Sequence, residues 1–283
     1  MQPEALAALR CPHCRAPLAE REGALRCASG HAFDVARQGY VSFLAGRPSG
    51  RIGDDASMVE ARARFLAAGH LDPLSKALAS LAAGAAPGLV VEAGAGTAHH
   101  LARVLDALPA HAGLAVDLSR HAARRAARAH PRAAAIVADL RERLPLADGC
   151  AALVLDVFAP RNGPELRRIL REGGALLVAT PGPDHLAELR TALGLLEVDP
   201  EKDRRVETAL AAWFERATAR PLAWTMRLPR ADAVALAWMG PSARHLDAGE
   251  LAARAAALPD PVAVTASVLV ERWRPRAAEP APA

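Results

Sequence analysis

The chain has 283 residues, 52% of them hydrophobic and 23% charged, with a formal net charge of +4. That length allows one large domain and a small one around a substantial core, and no apolar run reaches the ~18 residues of a membrane span. Nearly all the positive charge is arginine, Lys76 and Lys202 being the only lysines, so the balance gives a mild preference for polyanions and no more.

The first residues contain no basic stretch followed by an apolar one, which predicts no signal peptide. Three of the four cysteines fall in "CPHCRAPLAEREGALRCASGH", closed by a histidine. Such clustering argues against a disulfide framework and for a reducing cytoplasm. The spacing is Cys11-x2-Cys14, twelve residues, then Cys27-x3-His31. Two thiolates from a Cys-x2-Cys turn and two more donors make a tetrahedron for Zn2+. Four protein ligands leave no open position, so the expected zinc is structural, one per chain. His13, inside the knuckle, is expected to face solvent, and Cys150 to be a small core residue.

A polar linker, "AGRPSGRIGDDAS", follows and predicts separate cores on its two sides. Helices are expected over "MVEARARF" and from Ala77 to Ala83. The pattern then changes. "LVVEAG" reads as a buried strand, "AHHLARVLDAL" as a helix, "GLAVD" as a strand, and "SRHAARRAARAH" as a helix with Ser119 as N-cap. "AAAIVAD" and "AALVLDVF" are further strands. "PELRRILREGG" reads as a helix from Pro164 to a stop at Gly173, and "ALLVAT" as a fifth strand. "PLAWTMRL" and "PVAVTASVLVERW" supply the last two. The tail after Arg274 is rich in Pro and Ala and is expected to be disordered. Alternating strands and helices predict an α/β fold with a parallel sheet covered on both faces.

The glycine loop "VVEAGAGTAHH" follows the first strand, at the carboxyl edge where doubly wound sheets bind ligands. A dinucleotide fingerprint needs a third glycine where this chain has His99, and no Lys-Ser pair makes a P-loop. Glu92 before Gly94 and Gly96 gives the Glu-x-Gly-x-Gly form of S-adenosyl-L-methionine sites. Asp117 ends the second strand, placed to accept both ribose hydroxyls. Asp139 ends the third, placed for the adenine amino group. The alternative for both is that each caps the next helix.

These motifs, with "GHAFDVARQGYVSFL", "GDDASMVEARARFLAAGHLDPL", "VFAP", "REGGALLVATPGPDHLAEL" and "WMGPSA", resemble the 23S rRNA (guanine-N1)-methyltransferase family of RlmA and TlrB type. The likeness runs nearly the whole chain to about Arg274. It implies a Rossmann-like class I S-adenosyl-L-methionine-dependent methyltransferase domain with a small zinc-binding domain before it. The expected division is 1–36 for zinc and RNA recognition, 37–84 for linker and leading helices, 85–274 for the methyltransferase domain and 275–283 for the tail. The resemblance implies zinc on Cys11, Cys14, Cys27 and His31, and cofactor contacts at Leu71, Gly96, Thr97 and His185. The family more often has tyrosine at Leu71 and a carboxylate at Thr97, so the contact at Thr97 is expected through the backbone. His185 on its own residues reads as a helix-start residue.

The implied substrate is a guanine in a 23S rRNA hairpin loop, in the cytoplasm, with no membrane partner and with macrolide (tylosin-type) resistance as a consequence. A homodimer is among the states this allows. Asp156, near the end of the fourth strand, is a candidate proton acceptor, with a structural role as the alternative. Phe158 is a candidate to stack on the base, with a core role as the alternative. Arginines between Arg120 and Arg143 are candidates to grip phosphates, or else a solvated helix face. The competing functions are methylation of a small molecule and RNA binding without catalysis.

Overall fold

Proline in its first turn opens α1 (Pro3–Ala8), which buries Ala5 and Ala8. Three short strands follow, β1 (Ala19–Arg21), β2 (Ala24–Arg26) and β3 (Ala32–Asp34), paired antiparallel in that order. The computed structural model describes residues 1–44, 53–197, 202–245 and 247–276. Residues 45–52, most of the polar linker, and the tail from 277 thus lie outside the described residues. Just before the linker, β4 (Tyr40–Ser42) leaves the small module and pairs in parallel with residues 135–137 of the main sheet.

Asp55 caps α2 (Ala56–Ala67), its Oδ1 accepting the amides of Ser57 and Met58 at 2.8 and 2.9 Å. α3 (Asp72–Ala82) starts before the expected Ala77, because Pro73 suits a first turn and Leu74, Leu78 and Leu81 form one buried stripe. The alternation then runs β5 (Gly88–Ala93), α4 (His99–Ala107), β6 (His111–Asp117), α5 (Arg120–Ala126), β7 (Ala133–Val137), β8 (Ala151–Val157), α6 (Gly163–Ile169) and β9 (Leu170–Pro181). Ser119 caps α5 as expected, accepting the amide of Ala122 at 3.2 Å.

The helix expected from Pro164 to Gly173 ends at Ile169. Leu170 is buried and pairs with Ala151, so the chain enters the sheet at once, and Arg171–Gly174 form an irregularity before Ala175 pairs with Leu153. Gly173 therefore marks a bulge in a strand, not a helix stop. The remainder is α7 (Ala187–Leu193), α8 (Lys202–Ala211), β10 (Phe214–Leu228), α9 (Arg230–Met239), a 3-10 turn (Pro241–His245), α10 (Ala248–Ala256) and β11 (Val262–Pro275).

The main sheet has the order β10-β11-β9-β8-β5-β6-β7-β4. Strands β9 to β4 are parallel, and β11 runs antiparallel between β9 and β10. The order reverses at β5, which places a ligand crevice beyond its carboxyl end. One face packs α3 and α4 through Leu74, Leu78, Leu101 and Leu105. The other face packs the N-terminal module: Leu9, Cys11, Leu25 and Phe33 share a core with Leu89, Val91, Leu114 and Ile136. This corrects the expectation of separate cores. The linker is polar, but the module it follows has no apolar core of its own and buries its side chains on the sheet. A third core joins α2, α7, α9 and α10 through Phe65, Leu189, Ala233 and Leu251, around the ends of β10 and β11 at Leu228 and Val262. No described helix is long and apolar enough to cross a membrane.

Candidate functional site

Two turns build the cysteine cluster. Arg15 at φ 62° closes the first, its amide donating to the carbonyl of Cys11 at 2.8 Å. The amide of Gly30 donates to the carbonyl of Cys27 at 3.1 Å in the second. The four donor atoms of Cys11, Cys14, Cys27 and His31 lie within 4.8 Å of one another. Nδ1 of His31 is 3.5 Å from Cys11 Sγ and 3.4 Å from Cys27 Sγ, and Cys14 Sγ is 3.6 Å from Cys27 Sγ. A tetrahedral zinc with such ligands spaces its donors roughly 3.5–3.8 Å apart, so the set fits one zinc with no position left open. A hydrogen bond from Ser29 holds the Cys14 thiol down, to about 6, which favours the thiolate that metal requires. His13 is exposed, its ring 5.9 Å from Phe33. Cys150 stands apart, its thiol pushed up to about 11 by burial.

At the end of β5 the chain turns through two left-handed glycines, Gly94 at φ 71° and Gly96 at φ 53°. The amide of Gly94 donates to Val116 at 2.9 Å, and that of Gly96 donates to Oδ2 of Asp117 at 2.8 Å. A Cβ on Gly94 would stand 2.5 Å from Ala159 Cβ, so the missing side chain lets the loop touch the turn after β8. Thr97 is buried in the same loop. Oδ1 of Asp117 accepts the amide of Ser119 at 2.8 Å, and burial raises the Asp117 carboxyl above its usual range. An ionised carboxylate has about four acceptor positions, so two amides leave room for ribose hydroxyls. Asp117 thus organises the start of α5 as well as facing the loop, and the two readings of it are compatible.

Asp139 is buried just beyond β7, and its Oδ1 accepts the amide of Arg141 at 3.0 Å. Glu92 lies beneath the loop and not on its surface: it is 2% exposed, and Oε2 accepts the amide of Leu101 at 3.2 Å. Burial pushes its carboxyl up to about 8. Leu71 is buried in the third core at the start of α3, and Trp224 Nε1 donates to the neighbouring carbonyl of His70 at 3.0 Å.

Beyond β8, Phe158 adopts φ 54° and is 41% exposed. A left-handed aromatic residue costs of order 1–3 kcal/mol and persists only where the surrounding structure fixes it. Its ring centroid lies 5.8 Å from that of His185, whose Nδ1 accepts the amide of Ser267 at 3.2 Å. The core alternative for Phe158 is set aside by its exposure. Asp156 is wholly buried, with Oδ1 3.3 Å from Arg161 Nη2. Asn162 Nδ2 donates to the carbonyl of Leu140 at 3.1 Å, tying this turn to the segment after Asp139.

Of the arginines from Arg120 to Arg143, all but Arg132 are exposed, with Arg125 paired to Glu60 and Arg143 3.9 Å from Asp148. Arg132 is not available to a ligand, since it donates to the carbonyls of Leu105, Leu108 and His111. One further group carries no signal in the sequence. Arg62 on α2 reaches over Gly96, with its Nη2 2.6 Å from Asp54 Oδ2 and 2.7 Å from the carbonyl of Met239.

Residues 9–46 match the family model "RlmA, N-terminal", a zinc ribbon. The chain is 53% identical, over 94% of its length and 96% of the relative's, to a 23S rRNA (guanine(748)-N(1))-methyltransferase of Streptomyces fradiae. It is 52% identical, over 97% of its length and all of the relative's, to a Micromonospora griseorubida protein bearing a 23S rRNA (guanine-N(1)-)-methyltransferase name. Among solved structures, the complex of the Haloferax volcanii Trm112 methyltransferase activator with a methyltransferase superposes with a TM-score of 0.50 at 17% identity. That match covers 79% of this chain and 99% of the other, a likeness of fold.

Proposed function

The chain belongs to the 23S rRNA (guanine-N(1))-methyltransferase family, and from that premise we propose that it transfers a methyl group from S-adenosyl-L-methionine to N1 of a guanine in a 23S rRNA hairpin loop. The observation that carries this reading is near full-length identity of 53% to a relative named for that reaction. The fold is that of a class I methyltransferase with a zinc ribbon before it, and Cys11, Cys14, Cys27 and His31 hold a structural zinc.

The cofactor, when bound, supplies a methyl group on sulfonium and with it a ready leaving group. The protein therefore has to place two reactants in line and admit an unpaired base. In our reading the loop from Gly94 to Thr97 brings backbone against the cofactor, and Asp117 takes the ribose hydroxyls. Asp139 faces the adenine, and Leu71 and His185 contact the rest. Glu92 acts from below, holding the first turn of α4 to β5. Phe158, thrust out by its left-handed backbone and flanked by His185, is the surface on which the guanine stacks. Asp156 is too deeply buried to meet the base, so we assign it to positioning Arg161 and the Phe158 turn, and the N1 proton leaves to solvent. The zinc module and the exposed arginines Arg124 and Arg128 take RNA phosphates. The compartment is the cytoplasm, and reduced sensitivity to tylosin-type macrolides is the consequence we attach to the modification.

The test is transfer of labelled methyl from S-adenosyl-L-methionine to protein-free 23S rRNA, followed by mapping of the base. One N1-methylated guanine is expected. Label recovered only in small molecules would overturn the reading.

A further inference from the structure

The side chain of Arg62 lies on the glycine loop. A Cβ at Gly96 would stand 3.2 Å from its Cδ and 3.3 Å from its Nη1, so any side chain there would push the guanidinium back by a few tenths of an ångström. Its Nη2 is held by Asp54 and by the carbonyl of Met239, while its Nε is buried without a hydrogen-bond partner. The guanidinium therefore faces the loop with donor capacity left over. Beside it starts α4, whose N-cap, Ala98, offers no side chain to the first amides, that of Leu101 being taken by Glu92 from beneath, and whose first turn has no acidic residue. Helix N-terminus and guanidinium together make a seat for an anion.

A carboxylate already answers to that description. Asp54 is brought to Arg62 by a strap whose Gly53 lies against the backbone of Ser119, where a Cβ would meet it at 2.9 Å. Ser119 Oγ donates to the carbonyl of Asp54 at 2.5 Å. The Asp54 charge is felt at Asp117, where it raises the carboxyl, while Arg62 lowers it. Both charged groups thus stand in the crevice between the glycine loop and the end of β6.

We propose that Arg62 binds the α-carboxylate of the cofactor's amino-acid arm, and that Asp54 holds the place of that carboxylate in the free protein. This rests on the glycine loop being the cofactor site. Exchange of one carboxylate for another keeps Arg62 paired throughout, so the guanidinium is neither left bare nor required to swing in from solvent. The arrangement selects ligands that have the amino-acid arm over those that end at the thioether.

Two probes separate the parts. S-adenosylhomocysteine has the arm, and 5′-methylthioadenosine lacks it. By calorimetry, Arg62→Gln is expected to weaken S-adenosylhomocysteine roughly ten- to a hundredfold, the range for a charge-assisted hydrogen bond, and to change methylthioadenosine by less than about twofold. Asp54→Asn, which removes the competing charge, is expected to bind S-adenosylhomocysteine as tightly as the parent or more so. Equal weakening of both probes by Arg62→Gln, or none, overturns the proposal. So does a tenfold loss of S-adenosylhomocysteine alone in Asp54→Asn, which makes Asp54 itself the ligand. If the unaltered protein binds neither probe, the fault lies with the glycine loop as cofactor site.

Discussion

The amide of Gly96 donates to Asp117 at 2.8 Å, and through that bond the loop after β5 is fixed to the end of β6. One carboxylate thereby shapes the loop and keeps acceptor positions for a ligand. Asp117→Ala should weaken binding of S-adenosyl-L-methionine by ~1.5–3 kcal/mol, while Asp117→Asn, which keeps one acceptor oxygen, should lose less. Calorimetric titration of both variants checks this, and parent-like affinity in Asp117→Ala would place the ribose elsewhere.

Glu92 should make stability fall with pH. Its carboxyl ionises near 8 in the fold and near 4.5 when unfolded, so between those values the folded state holds a proton that the unfolded state has lost. The stabilisation is complete below the lower value and is lost as pH rises through the upper one. Glu92→Gln has no such charge to suppress. Its melting temperature should therefore gain on the parent as pH goes from 5 to 8. A constant difference across that range would mean that Glu92 is ionised in the fold.

Purified protein should contain about one zinc per chain. Cys14→Ser should lose the metal and lower the melting temperature of the whole protein in one transition, because Cys11, Leu25 and Phe33 share a core with Leu89 and Val91. Elemental analysis and scanning calorimetry measure the two effects. A zinc-free variant with an unshifted main transition would show that the core is not cooperative across the module.

Phe158→Ala should leave S-adenosyl-L-methionine binding and stability nearly unchanged, since the ring is 41% exposed. It should lower kcat/KM on RNA by ten- to a hundredfold, as stacking on a base is worth ~1–3 kcal/mol. Phe158→Gly should also melt higher, by relief of the left-handed backbone at φ 54°. Unchanged methylation by both variants would remove Phe158 from the base site.

Arg124→Ala and Arg128→Ala should weaken RNA binding and flatten its salt dependence by about one ion for each phosphate no longer neutralised. Arg132→Ala should instead cost stability, because its guanidinium closes three carbonyls between α4 and β6. Filter binding across a salt series, with thermal melts, distinguishes the two behaviours.

The strands and the glycine loop are legible because each is a short local pattern: a buried apolar run, then glycine, then a carboxylate a strand later. The four zinc ligands are legible for the same reason. What escapes a reading of the chain is set by distant partners. Leu170 reads as helix until Ala151 is beside it. The small module reads as having its own core until the bare face of β5 and β6 is supplied for Leu9 and Phe33. Arg62 reads as one more solvated arginine on α2, since its place above Gly96 depends on how α2 packs on α9 at the far end of the chain. The left-handed turn at Phe158 has no residue signal, because glycine or asparagine would be the usual choice there.

Tyr40, Val41 and Ser42 lie opposite Ala135, Ile136 and Val137, so a strand made early in synthesis awaits one made much later. When β7 leaves the ribosome, the backbone that will cover its outer edge has already emerged. Exposed edges of parallel sheets invite pairing with other chains, and this one finds its partner tethered to the same polypeptide. β4 becomes the new edge, but it is only three residues long and bridges back to Val35 of the small module, so little of that side is open to another chain.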